Sequence, residues 1–229
     1  MKKGKVSNNV IRRLPRYLRK LDELEAAGIN RVSSSELGLC LGFTSSQIRQ
    51  DFSCFGEFGQ QGYGYNVPML RNEIAAILGT DRGYNAILIG VGNIGHALMD
   101  NFCFSEWGFT LICGFDVNPE LVGKTINGVN VCGMDQLVEF LHTNKVDVAV
   151  LAVPGEAAKP VAEILTENGI NAIWNFTNVE IVEPDSEIIV ENVHFSDSLL
   201  ALSYFISEKN DEKAAREARI AKASAKQEQ

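Results

Sequence analysis

The ten residues AILIGVGNIG at positions 86–95 join a continuous apolar run to a glycine-rich loop. An uninterrupted apolar strand is typical of a parallel sheet that is covered on both faces. In a Gly-x-Gly-x-x-Gly loop the first glycine allows a tight turn, and the second lets the backbone approach a pyrophosphate at the N-terminus of the next helix. The sequence therefore predicts a dinucleotide-binding loop made of Gly90, Val91, Gly92, Asn93, Ile94 and Gly95.

The residues that follow alternate between strand and helix patterns. A second buried strand, at 109–115, ends at Asp116, whose carboxylate is placed to accept hydrogen bonds from an adenine ribose. Val117 and the two residues after it include no arginine for a 2′-phosphate, which favours NAD(H) over NADP(H). Strands near 146–153 and 172–174, with helices near 134–142 and 156–168, complete the pattern. The predicted class is α/β, with a Rossmann domain (a doubly wound parallel sheet) over 84–195.

The charge of the chain is unevenly distributed. The formal net charge of −8 over 229 residues argues at first against nucleic-acid binding. Residues 1–82, however, hold 12 basic and 8 acidic side chains, a net of +4, while residues 83–207 hold 3 and 16, a net of −13. Two differently charged bodies are therefore predicted, with the boundary in the polar stretch 80–83.

The first body carries two helix-capping patterns in succession. Ser33 to Glu36 and Thr44 to Gln47 each have the form of a capping box, and a Gly-Phe turn separates the two short helices that they open. This is the helix-turn-helix signature. An amphipathic helix over 11–27 precedes it, and the Gly- and aromatic-rich stretch 55–65 predicts a β-hairpin, or wing, before a helix at 68–78. We therefore predict a winged helix-turn-helix domain over 1–80.

Basic and amide side chains on this domain are suited to DNA. Ser, Gln and Arg on the second helix of the motif can read base edges and phosphates in a major groove, and a wing can lie along the backbone or minor groove. A solvated basic helix surface is the alternative interpretation of the first helix. The predicted DNA contacts are Arg12, Arg13, Arg16, Ser46, Gln47, Arg49, Gln50, Gln60, Gln61 and Tyr63.

Several classes of protein are disfavoured. No signal peptide is recognised, and no apolar run approaches the roughly 18–20 residues that span a bilayer. The five scattered cysteines include no C-x-x-C pair, which argues against a disulfide framework and a metal site. The three histidines form no catalytic grouping. We expect a cytoplasmic protein, without catalytic residues, that senses its nucleotide; a small NAD-dependent oxidoreductase and a protein-binding nucleotide module are the alternatives.

The C-terminal region changes character at residue 208. A capping pattern at 196–198 opens a short apolar helix over 196–207. Residues 208–229 are rich in Ala, Lys and Glu, which predicts either a frayed helix or a disordered polar tail.

Taken together, these motifs resemble the Rex family of redox-sensing transcriptional repressors of Gram-positive bacteria. The resemblance runs from about residue 10 to 206, and its most specific pieces lie at 12–17, 47–52, 55–67, 90–95 and 174–176. It implies a homodimer in which the final helix is exchanged between subunits. It also implies binding to palindromic operators of fermentation and respiration genes when NAD⁺ predominates, with release by NADH.

The resemblance also implies roles for single residues. Val153 and Pro154 would lie at the nicotinamide side, and Phe195 would approach the nicotinamide pocket of the opposite subunit. Some family members connect the domains through an Arg, a Tyr and an Asp. In this chain Arg19 matches the Arg, whereas Asn101 and His194 stand where the family has the Tyr and the Asp. An interdomain switch is therefore expected either to be built differently here, from Arg19, Asn101 and His194, or to use Asp197.

Overall fold

A computed structural model of the chain describes residues 6–56, 58–60, 63–181 and 188–227, without the side chains of 59, 60 and 218–227. The chain forms two compact units. The first is Met1–Gly83 together with Phe104–Phe109, and the second is Tyr84–Cys103 together with Thr110–Gln229. The sequence had not indicated that 104–109 belong with the first unit.

The first unit is a winged helix-turn-helix domain, as predicted. Its three-stranded antiparallel sheet has the order β1-β3-β2. Its elements are α1 (Asn8–Ala26), β1 (Arg31–Val32), α2 (Ser34–Leu41), α3 (Ser45–Ser53), β2 (Gly59–Gln60), β3 (Gly64–Asn66) and α4 (Val67–Leu78).

Local capping contacts explain where the two helices of the motif begin. The Ser33 hydroxyl accepts a hydrogen bond from the Glu36 amide at 3.1 Å, and the Glu36 carboxylate accepts one from the Ser33 amide at 2.7 Å. The Thr44 hydroxyl accepts from the Gln47 amide in the same way. Between them α2 ends at Gly42, whose φ of 72° lies in the left-handed region. Both predicted helix starts are therefore confirmed to within one residue.

The second unit contains a seven-stranded sheet of order β10-β9-β8-β4-β5-β7-β6. The elements from residue 84 onward are β4 (Tyr84–Ile89), α5 (Asn93–Asn101), β5 (Phe109–Asp116), β6 (Thr125–Ile126), β7 (Val129–Gly133), a 3₁₀ turn (Met134–Gln136), α6 (Leu137–Thr143), β8 (Val148–Leu151), α7 (Gly155–Glu167), β9 (Ala172–Asn175), β10 (Ile189–Asn192) and α8 (Phe195–Gln227). Between α5 and β5, the 3₁₀ turn Phe104–Trp107 belongs to the first unit. Strands β10, β9, β8 and β4 pair in parallel, as do β5 and β7, whereas β6 is antiparallel to β7. Without β6, the order is that of a doubly wound Rossmann sheet, which confirms the predicted class.

Three predicted boundaries were wrong or incomplete. The segment 125–133 was expected to be a loop but forms the β6–β7 hairpin, in which Asn127 and Gly128 have φ of 46° and 82°. An Asn-Gly pair with two positive φ angles is the usual two-residue hairpin turn, because its twist matches that of the strands. Helix α5 ends at Asn101 rather than near 104, and α8 continues beyond Ser207 to Gln227. Strand β10 was not anticipated.

The core of the second unit lies between its sheet and its helices. Ile87, Ile89 and Phe115 from β4 and β5 are fully buried, and Leu151 from β8 and Leu165 from α7 pack in the same cluster. The Cys113 thiol is 2% exposed, as expected of a small apolar side chain. Burial raises the pKa of Cys113 to about 12.

The carboxylate of Asp147 stabilises the start of β4. Its Oδ2 accepts a hydrogen bond from the Asn85 amide at 2.9 Å, and its Oδ1 lies 3.1 Å from the Lys145 ammonium. The backbone hydrogen bond from Asn85, together with Lys145, lowers the pKa of Asp147. A group with a lowered folded-state pKa stabilises the fold above its unfolded-state pKa, and this contribution is lost as the pH falls through the folded-state pKa.

We therefore expect Asp147→Asn to lower the free energy of unfolding by about 1 kcal/mol at neutral pH. The difference from wild type should become smaller in acid, as the pH falls below the normal range of a carboxyl pKa toward the lowered pKa of Asp147. Chemical denaturation at pH 7 and pH 3 measures both values. A difference that is equal at the two pH values would contradict the role assigned to the charge.

Candidate dinucleotide site and candidate nucleic-acid interface

The glycine-rich loop connects β4 to α5 by a close backbone approach. The Gly90 amide donates to the Phe115 carbonyl at 2.8 Å, and Gly90 has a φ of +90°. A Cβ at Gly90 would lie 2.6 Å from the Ala152 carbonyl oxygen, and one at Gly95 would overlap the carbonyl oxygen of Gly90. Gly92, the N-cap of α5, has open space where a Cβ would point. Two of the glycines are thus required by packing, while the space beside the third is open to a ligand.

Asp116 holds this loop at the end of β5. Its Oδ2 accepts a hydrogen bond from the Val91 amide at 2.6 Å, and its Oδ1 accepts one from the Asn118 amide at 2.7 Å. A carboxylate offers about four lone-pair directions, so roughly two remain for further donors. The side chain can therefore support the loop and also accept hydrogen bonds from ribose hydroxyls, the role predicted for it.

A cavity of about 420 Å³ lies beside Asp116. Its walls are Asp116, Val117, Pro119, Val122, Gly133, Met134 and Asp135. The sequence did not indicate Met134 and Asp135, because they follow β7, a strand that was not predicted. Asp116 and Asp135 together make this cavity a poor environment for a phosphate, in agreement with the expected preference for NAD(H) over NADP(H).

The other predicted nucleotide contacts lie where the chain topology favours a ligand. Val153 and Pro154 follow β8, whose Leu151 pairs with Ile89 at the end of β4. The carboxyl ends of these two strands form the switch point at which Rossmann sheets bind their ligands. Phe195, the first residue of α8, is 64% exposed, and its ring centroid lies 6.3 Å from that of Phe176. The nicotinamide contacts of these residues stay predictions.

Helix α3 carries four of the ten predicted DNA contacts. Ser46, Arg49 and Gln50 are exposed, and Gln47 is half-buried. The Arg49 guanidinium donates to the hydroxyls of Ser34 and Ser46 at 3.1 and 3.2 Å, so it also joins the starts of α2 and α3. Exposed amide and guanidinium groups on one helix are suited to a major groove.

The wing is described only in part. Tyr63 is 69% exposed, and its carbonyl accepts a hydrogen bond from Arg31 at 3.1 Å, a contact that the sequence did not indicate. The Gln60 side chain and the whole of Gln61 lie outside the described residues.

The arginines of α1 differ from the expectation of a uniform phosphate-facing surface. Arg12 is exposed, but Arg13 is turned toward α3, where Nε and Nη2 donate to the Asp51 carboxylate at 2.6 and 2.7 Å. Arg16 donates to the Leu41 carbonyl at 2.8 Å, and its guanidinium lies 4.4 Å from the centre of the Phe43 ring. Two of the three predicted contacts thus bind the helix-turn-helix itself.

The residues proposed for an interdomain switch are placed separately within the two units. In the first unit, Arg19 is exposed on α1. In the second, the Asn101 amide group donates to the Ala97 carbonyl at 3.1 Å. The His194 carbonyl accepts a hydrogen bond from the Asp197 amide at 3.2 Å, and His194 Nε2 lies 3.8 Å from Glu180 Oε1. Their role as a switch stays a prediction.

Known families and relatives match both units. Residues 81–179 match the family described as "CoA binding domain", and residues 5–53 match "Putative DNA-binding protein N-terminus". The redox-sensing transcriptional repressor Rex of Clostridium acetobutylicum is 49% identical over 209 residues, which cover 91% of this chain and 97% of that protein. Rex of Caldicellulosiruptor bescii is 49% identical over 212 residues, covering 93% and 97%.

Solved structures match over the same span. RSP in complex with beta-NAD⁺ and operator DNA superposes with a TM-score of 0.83 at 46% identity, covering 93% of this chain and 98% of RSP. RSP in complex with beta-NADH gives a TM-score of 0.84 at 44% identity, covering 92% and 98%. RSP is described as a Rex-family repressor.

Fold, site and relatives together define a class: transcriptional regulators that join a winged helix to a Rossmann domain. Relatives 49% identical over nine-tenths of the chain are named repressors. The chain belongs to the Rex family of redox-sensing transcriptional repressors, which are regulators and not enzymes. The alternative of a small NAD-dependent oxidoreductase is therefore wrong.

The described part of the chain contains neither a cluster of metal-ligating side chains nor a membrane-spanning helix. No group of three or more His, Cys, Asp or Glu side chains is placed there to hold a metal ion. Among its helices, none combines the length and apolar character needed to cross a membrane.

The loop glycines lead to a paired prediction about folding. Gly95→Ala is expected to lower the free energy of unfolding by about 2 kcal/mol, since its Cβ must displace the Gly90 carbonyl. Gly92→Ala places its methyl group in open space and should change stability by less than about 0.5 kcal/mol. Thermal unfolding of the two variants beside wild type measures this. Equal destabilisation would contradict the different roles of the two glycines.

Proposed function

We propose that this chain is a repressor that binds palindromic operator DNA as a homodimer and releases it when NADH occupies the Rossmann unit. The regulated genes are expected to serve fermentation and respiration, and the site of action is the cytoplasm, where the chromosome lies. The observation that carries the proposal is the presence, in one chain, of the exposed Arg49 and Gln50 on α3 and of the Asp116 carboxylate at the glycine-rich loop.

The ligand must act through a difference in affinity. A nucleotide shifts DNA binding only by the difference between its affinities for the DNA-bound and released arrangements of the protein. Oxidised nicotinamide carries a positive charge that the reduced ring lacks. An apolar pocket that includes Val153 and a partner's aromatic ring would favour the neutral ring, since burying an unpaired charge is costly. NADH, rather than NAD⁺, is therefore the releasing ligand.

The exposed side chains of α8 support the proposed dimer. The residues Leu199, Leu200, Leu202, Phe205 and Ile206 are each more than half exposed. Several large apolar side chains exposed on one helix are typical of an interaction site in soluble proteins. A second copy of the chain, with its own α8, is the proposed partner.

Titration with the operator duplex of RSP tests the central proposal. NAD⁺ should leave binding of the full chain nearly unchanged, whereas saturating NADH should weaken it by about tenfold or more. Because the coupling is reciprocal, the operator should weaken NADH binding by the same factor. Fluorescence anisotropy of labelled DNA and the fluorescence of bound NADH measure the two sides. Operator binding that NADH does not change would contradict the proposal.

Two variants serve as matched controls for this titration. Arg49→Ala should weaken operator binding and reduce its salt slope by about 0.9, while NADH affinity is unchanged. Gly92→Ala should keep operator binding but lose its response to NADH, because the added methyl group occupies the space that a pyrophosphate needs. If both variants lost both activities, the assignment of one activity to each unit would be wrong.

Substitutions that introduce charged side chains on α8 test the proposed dimer. Leu200→Asp combined with Phe205→Asp should convert the protein from dimer to monomer, because two charges would enter an apolar contact. Analytical ultracentrifugation gives the mass directly. Lys213→Asp, in the exposed polar part of the same helix, is the control and should leave the dimer intact. A double variant that stays dimeric would place the contact elsewhere.

A further inference from the structure

A buried carboxylate joins the first and third helices of the DNA-binding unit. Asp51, on α3, is 2% exposed. Its Oδ2 accepts hydrogen bonds from Arg13 Nε at 2.6 Å and from the Tyr17 hydroxyl at 2.7 Å, and its Oδ1 accepts from Arg13 Nη2 at 2.7 Å. Arg13 and Tyr17 are four residues apart, so they project from the same face of α1. One α3 side chain is thus held by three hydrogen bonds from α1.

The other contacts around Tyr17 and Asp51 described here are apolar. The fully buried Tyr17 ring packs edge to face against Phe52 and Phe43, with centroids 5.0 and 5.7 Å apart. Ile48 and Phe52 belong to the same apolar cluster. Dispersion and the hydrophobic effect are less directional than hydrogen bonds, so this packing restricts the rotation of α3 less sharply than a polar contact does. A planar two-point contact between guanidinium and carboxylate is directional.

Stability does not explain why such a pair is buried. Removing a carboxylate and a guanidinium from water costs about as much as their attraction returns, and apolar replacements of similar size are often as stable or more so. The Arg13 side chain is 20% exposed and Asp51 is almost fully enclosed, so the cost falls mainly on the carboxylate. Conformational specificity is the remaining benefit of an enclosed polar contact.

The rotation of α3 about its own axis matters because residues close to Asp51 on this helix are predicted to contact DNA. Gln50 and Arg49 directly precede Asp51 and are exposed, and Gln47 lies one turn before it. A side-chain tip about 6 Å from a helix axis moves by about 2 Å when the helix rotates by about 20°, which is enough to break a hydrogen bond to a base edge. Fixing Asp51 inward therefore fixes where Gln47 and Gln50 point.

We propose that Asp51 is a positioning residue that sets the rotation of α3 through Arg13 and Tyr17 and so determines discrimination between operator and other DNA. This inference rests on the proposed DNA-binding function. It predicts that neutralising Asp51 weakens binding to the operator, whereas simple electrostatics predicts tighter binding. If Asp51 were only an acid near phosphates, its neutralisation would tighten binding to every duplex.

The test compares binding of the full chain to two DNA duplexes. The probes are the operator duplex of RSP and a shuffled duplex of the same length and composition. For Asp51→Asn, the ratio of the two affinities should fall by about tenfold, from loss of operator binding alone. Affinity for the shuffled duplex should not fall, since no phosphate contact is removed.

Two further variants keep the result interpretable. Tyr17→Phe keeps the ring and the net charge but removes one hydrogen bond to Asp51, so the ratio should fall by about threefold. Asp22→Asn is the matched control, because it neutralises an α1 carboxylate that pairs with Arg71 of α4 at 2.8 Å and has no part in the Asp51 contact. For Asp22→Asn, the ratio of operator affinity to shuffled-duplex affinity should equal that of wild type. Thermal unfolding checks that each variant is folded.

The outcomes separate the inference from the function on which it rests. A folded Asp51→Asn variant with the wild-type ratio, or with tighter binding to both duplexes, would overturn the inference and leave the repressor function intact. If Asp51→Asn does not fold, an unchanged ratio in Tyr17→Phe would overturn it. A wild-type chain that does not prefer the operator would contradict the proposed function and this inference with it.

Discussion

The hydrogen bond between the Asp116 carboxylate and the Val91 amide is the constraint on which the nucleotide unit depends. It ties the first residues of the glycine-rich loop to the end of the neighbouring strand, 25 residues later in the chain. The loop that it ties leaves open space beside Gly92, where a pyrophosphate is predicted to bind, and Gly95 lies against the Gly90 carbonyl near the start of α5. One carboxylate thus organises the site and forms part of its wall.

Local chemistry explains which parts of the fold could be predicted from the sequence. The capping contacts of Ser33 and Glu36 involve neighbours three residues apart, and the glycine loop is a continuous motif. Such signals are contained in short windows of sequence. The hairpin turn at Asn127 and Gly128 was also local, but strands of two and five residues gave no clear alternation beside it. Met134 and Asp135 of the cavity wall were missed with that hairpin.

Contacts between residues far apart in the sequence explain which features could not be predicted. Arg13 and Asp51 are 38 residues apart, and no pattern within α1 distinguishes an arginine that faces a buried carboxylate from one that faces solvent. A basic helix therefore indicated DNA binding correctly at the level of the unit, but it did not indicate that Arg13 and Arg16 also make contacts within the helix-turn-helix. The net charge of the segment steers the unit toward DNA, whereas the orientation of each arginine depends on tertiary contacts.

The continuous helix α8 has a consequence for how this protein reports its own unfolding. Thirty-three residues of helix extend about 50 Å. Side chains 208–217 are exposed, so this part of the helix depends on the propensity of Ala, Lys and Glu rather than on a core. A solvent-exposed helix of this kind melts gradually with temperature. Ellipticity at 222 nm will therefore slope before the cooperative transition, while Trp107 in one unit and Trp174 in the other provide fluorescence signals that do not include the exposed helix.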